Sequence, residues 1–87
     1  MILVDPLKDY PHAVIQAGAR KHGVSWCHLV SDTSLAELHT FARSIGLRRS
    51  WCQGDHYDLT PKLRQRAVQR GAVEVSLREL ILRKVPT

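Results

Sequence analysis

The stretch RRSWCQGDHYDLTPKLRQRAVQRG, residues 48–71, decides how the chain folds. Its second half is a helix with both ends marked. Thr60 is suited to the N-cap, where its hydroxyl can accept from a free first-turn amide. Pro61 fits the first helical position, where a missing N–H costs nothing, and Gly71 supplies a left-handed stop. Lys62, Arg66 and Arg70 recur at i, i+4 and i+8 and share one face, while Leu63 and Ala67 face inward. Leu47–Gln53, with Arg48 and Arg49 at its start, is expected to be a strand. Between strand and helix lies the cluster Asp55-His56-Tyr57-Asp58, at the mouth of a helix whose positive end favours anions.

Working outward, Ile2–Val4 is a short apolar run that Asp5-Pro6 stops, because a residue before proline is forced extended and proline cannot continue the ladder. Pro11 and Gly23 bracket a weak helical pattern over residues 12–21, with Gly18 inside it. Trp26–Val30 is expected to be a central strand: Trp26, His28 and Val30 share one face, Cys27 and Leu29 the other, and both are mostly apolar. Ser34 and Glu37 can cap a helix over residues 35–45, with Leu35, Leu38, Ala42 and Ile45 as its core stripe and Gly46 at its end. His39 sits at the edge of that stripe. Residues 72–75 give a short strand, and Ser76 starts a last helix over residues 77–84, packed through Leu77, Leu80, Ile81 and Lys84. Alternating strands and helices predict an α/β fold: one small domain spanning residues 1–87, about four short strands in a parallel or mixed sheet, with helices packed on it.

Composition narrows the function classes. The net charge of +5 is uneven, −1 over residues 1–42 and +6 over residues 43–87. A basic half suits an acidic partner: nucleic acid, a nucleotide, or an acidic protein face. No apolar run reaches the ~18 residues of a membrane span, and MILVDPLKD is not patterned as a secretory leader, so a cytoplasmic protein with no membrane partner is expected. In that compartment Cys27 and Cys52 are expected to be reduced and unpaired. Walker A, GxGxxG, HExxH, paired CxxC and nucleophile-elbow patterns are all absent, which removes the common NTPases, dinucleotide enzymes, zincins and α/β-hydrolases.

Three functional readings stay open. Arg48, Arg49, Thr60, Lys62, Arg66 and Arg70 could bind phosphates of a nucleic acid or nucleotide. His28, His39, His56 and Asp58 could converge as the centre of a small metal- or histidine-dependent hydrolase. The donor pool for an ion, Asp5, His28, Asp32, His39, His56 and Asp58, suits Mn, Fe or Zn, but no pair has a recognised ligand spacing and no cofactor is identified. The third reading is a non-catalytic protein that binds and inhibits a host system. Sequence does not settle whether the chain is an enzyme or what its oligomeric state is.

Several pieces together, CHL with Asp32, ELH, the GL-R-W of residues 46–51, HYDLT, GA-E and the opening VDP, resemble a bacterial and phage family of uncharacterised proteins, domain-of-unknown-function family 4031. The resemblance covers most of the chain and implies a phage or bacterial accessory protein. It brings no established activity and no assigned catalytic residues. An aromatic residue is expected in that family where Cys52 stands, which argues against zinc ligation by Cys52.

Overall fold

The computed structural model describes residues 1–9 and 25–85. The helix expected over residues 12–21 lies outside the described residues. Among the described residues, five strands form one mixed sheet: β1 (Ile2–Val4), β2 (Lys8–Asp9), β3 (Ser25–Ser31), β4 (Tyr57–Leu59) and β5 (Val73–Glu74). β3 is its centre. Leu29 stands opposite Val4 of β1 and also opposite Tyr57 of β4, both antiparallel. β2 runs antiparallel to β3 as well, and β5 adds to β1 in parallel. Three helices of the described residues, α1 (Leu35–Ser44), α2 (Pro61–Gln69) and α3 (Leu77–Arg83), pack on it in an α/β fold.

Strand alternation divides the side chains between two layers. Ile2, Val4, Cys27, Leu29, Tyr57 and Leu59 project to one side and pack against Leu38, Ala42 and Ile45 from α1 and its end and Ala67 from α2. Leu3 and Val30 project to the other side and meet Leu80 of α3. Each fully buried aliphatic contributes about 1.5–3 kcal/mol, so the α1/α2 layer supplies most of the stability. On α3 only Leu80 is buried. Leu77 and Ile81, expected on its packing side, remain exposed because no further element of the described chain covers them.

Helix ends follow the capping residues. Ser34 Oγ accepts from Glu37 N at 3.0 Å, Thr60 Oγ1 from Leu63 N at 3.3 Å, and Ser76 Oγ from Glu79 N at 3.0 Å. Gly46 and Gly71 end α1 and α2 with φ of 93° and 107°, a region that side-chain-bearing residues rarely adopt.

One element differs from the sequence expectation. Residues 49–53 are not a strand: Arg49–Trp51 form a 3-10 turn, and Cys52 N donates to Arg49 O. The chain then doubles back, with Gly54 at φ 80° and Gln53 N donating to His56 O at 2.8 Å. A strand begins only after that reversal, as β4, Tyr57–Leu59. The cluster before Thr60 is therefore half loop, at Asp55 and His56, and half strand, at Tyr57 and Asp58. Its side chains alternate, Tyr57 towards α1 and Asp58 towards α3.

Candidate metal centre

The site starts where β1 ends. The β1–β3 register places Asp5 opposite His28, but Pro6 interrupts the ladder there. The carboxylate takes over: His28 N donates to Asp5 Oδ1 at 2.6 Å, and His28 Nδ1 lies 2.9 Å from Asp5 Oδ2. A carboxylate only accepts, so the Nδ1 proton is held there and the lone pair of the neutral ring is on Nε2. Asp5 is only 2% exposed. Burial opposes its ionisation, yet the His28 hydrogen bonds prevail and hold its carboxyl below the usual range. The same hydrogen bond raises the His28 imidazole above its ordinary value, against the effect of burial.

His56 reaches the same space from the loop before β4. Its ring lies edge-on to that of His28, with 5.2 Å between centroids. The support is of the same kind, because His56 Nδ1 lies 2.8 Å from Asp55 Oδ1 and Asp55 Oδ2 accepts from Lys84 at the end of α3. Burial works against the charge on Asp55, and the Lys84 and His56 hydrogen bonds outweigh it, lowering its pKa. Asp58, opposite His28 in the β3–β4 ladder, completes the group. Its Oδ1 is 3.5 Å from His56 Nε2, and its Oδ2 accepts from Gln53 Nε2 at 2.5 Å.

His28, His56 and Asp58 can each offer a ligand atom within 4.8 Å of the others. Donors on one ion with bonds of about 2.1 Å stand about 3.0–3.4 Å apart, so the His56–Asp58 spacing of 3.5 Å is close to that range and a pair at the 4.8 Å limit would close by about 1.5 Å. Two imidazoles and a carboxylate suit zinc, iron or manganese. Beside them is a shallow pocket of about 200 Å3, lined by His28, Asp55, His56, Leu77, Ile81 and Lys84. Trp26, two residues before His28 on the same face, is buried, and its indole N–H has no partner among the described residues.

The other predicted residues lie elsewhere. His39 does not join His28 and His56. It packs edge-on against Tyr57 on the α1 side of the sheet, with Nδ1 2.8 Å from the phenol oxygen. Burial and the Arg49 charge lower its pKa. Asp32 is taken up by the Met1 amino group and Arg83. Cys27 faces the α1/α2 core, and both cysteines are free thiols. Arg48 lies over the Trp51 ring at 5.9 Å, Thr60 is used as a cap, and Arg66 Nη1 donates to Ile45 O at 3.1 Å. Arg49, Lys62 and Arg70 are exposed. Sequence reasoning passed over Asp55, Gln53 and Lys84 as site residues. Asp55 carried a local signal, being adjacent to His56, whereas Lys84 reaches the site only through the packing of α3.

No helix among the described residues is long and apolar enough to cross a membrane. No curated protein and no solved structure matches the chain. Over residues 10–85 it matches one protein family, and on that match the chain belongs to DUF4031, a family of proteins of unknown function.

Proposed function

We propose that the protein is a small metal-dependent hydrolase whose ion is held by His28, His56 and Asp58. One observation carries this reading: both imidazoles are hydrogen-bonded at Nδ1 to a dedicated carboxylate, Asp5 or Asp55, beside a third carboxylate from the paired strand. Outer carboxylates of this kind fix the tautomer and raise the basicity of metal-ligating histidines. A core histidine needs only one satisfied hydrogen bond; two such pairs 5.2 Å apart are better explained as a ligand set. A bound divalent ion would acidify a coordinated water towards neutral pH and supply the nucleophile. Lys84 at the rim suits an anionic group on the substrate, and Leu77 and Ile81 suit an apolar one.

The test is calorimetric titration of chelator-treated protein with Zn2+ and Mn2+, followed by hydrolysis of p-nitrophenyl phosphate and p-nitrophenyl acetate. One ion per chain and ion-dependent turnover are expected, with both lost in His56→Ala. Absence of stoichiometric binding would sink the centre. Tight binding without turnover on either ester would leave the ion structural and remove the hydrolase reading.

A further inference from the structure

The opposite layer of the molecule has a different character. Residues 38–54 and 59–73 together contain seven Lys and Arg and not one Asp or Glu. These segments build most of α1, the 3-10 turn, the end of β4, α2 and the start of β5. Of the seven, only Arg64 has an ion-pair partner among the described residues, namely Glu74. Arg43, Arg48, Arg49, Lys62, Arg66 and Arg70 have none, and all six are exposed. The Asp and Glu residues in the ion pairs lie outside these two segments, bound to Met1, His28, His56, Arg64, Arg83 or Lys84.

The fold draws part of this positive surface together. Arg66 Nη1 donates to Ile45 O, which brings α2 against the end of α1 where Arg43 lies, and Arg49 is close enough to His39 and Tyr57 of the same layer to influence both. Along α2, Lys62, Arg66 and Arg70 repeat with a rise of about 6 Å.

We infer that this face binds the phosphodiester backbone of a nucleic-acid duplex. An acidic protein is the competing partner, but protein interfaces are built around an apolar centre. The exposed large apolar residues, Met1, Leu7, Val73, Leu77, Ile81 and Leu82, include none from α1, the 3-10 turn or α2. Nucleic-acid interfaces are polar and strongly positive, as this face is. Trp51 is half-buried beneath Arg48 and Phe41 of α1 is half-buried against the core, so among the described residues neither aromatic of this face is an open stacking platform, which favours backbone contacts. The α1/α2 face and the His28–His56–Asp58 centre lie on opposite sides of the sheet, so the inference stands independently of the hydrolase reading.

The experiment is fluorescence anisotropy with a labelled 16-base-pair DNA duplex, at salt from 50 to 200 mM, on the full chain. If all six cations engage, log affinity falls against log salt with a slope of about −5, a loss of about 10^3 over that range. Lys62→Ala with Arg70→Ala, two exposed side chains with no recorded ion pair, should flatten the slope by about two units and weaken different sequences equally. Arg78→Ala on α3 should leave it unchanged, and so should His56→Ala. No binding by the parent at 50 mM salt overturns the inference. So does an unchanged slope in the double variant, an equal effect of Arg78→Ala, or preferential capture of poly-glutamate over the duplex.

Discussion

Asp5→Asn separates the role of Asp5 in the fold from its role in the centre. The carboxylate accepts two hydrogen bonds from His28 while almost wholly buried. An asparagine has one oxygen and one amide nitrogen in their place. If its oxygen keeps the His28 N–H, its NH2 faces Nδ1. Nδ1 must then become an acceptor, and the ring proton moves to Nε2. Losing charge assistance at two short bonds costs about 1–4 kcal/mol, from about 1.5–3 kcal/mol for a charged hydrogen bond and about 1 kcal/mol for a neutral one. A domain of this length has about 4–13 kcal/mol in total, so the variant should fold with a clearly lowered denaturant midpoint. The tautomer change also removes the Nε2 lone pair. Metal affinity should therefore fall about 10–100-fold, as when an outer partner of a ligating histidine is lost. Urea unfolding and zinc calorimetry on the same preparations read the two effects. If Asp5→Asn lowers the midpoint and yet binds zinc like the parent, the tautomer argument fails. His28 would then be a structural residue.

Two further predictions rest on single groups. Burial, followed by the nearby Asp5 charge, pushes the Cys27 thiol up to about 12; a thiol reagent should modify Cys52 in the native protein and reach Cys27 only on unfolding, and early labelling of Cys27 would contradict the packing of the α1/α2 layer. Asp32 is lowered to about 2 by the Met1 amino group and then by Arg83. The stability it contributes is fully present above about pH 4 and is lost as pH falls towards 2, so the difference in midpoint between the parent and Asp32→Asn should shrink over that window; a difference that stays constant would mean Asp32 does not titrate in these contacts.

What the sequence revealed depended on whether the signal was local. Ser34, Thr60 and Ser76 mark helix starts because a cap is satisfied within three residues, and Gly46 and Gly71 mark ends because few other residues take a positive φ. The strand expected over Leu47–Gln53 does not form because the chain reverses at Gly54, three residues after Trp51, where φ is positive. His28, His56 and Asp58 were identifiable as polar types in apolar surroundings. Their grouping without His39 was not, since it depends on Tyr57 and Asp58 lying in a strand and on His39 meeting Tyr57 on the opposite face. The support from Lys84 was not readable, because nothing local says that the end of α3 returns to the loop before β4.

The pairing of β3 with β4 is three residues long and antiparallel, Cys27 to Leu59, His28 to Asp58 and Leu29 to Tyr57. That short ladder makes one choice serve two ends. A slip of one residue would turn the Asp58 carboxylate into the apolar layer under α1 and swing the Tyr57 ring out beside the two imidazoles. Misregistered chains would therefore lose the core and the His28–His56–Asp58 group together.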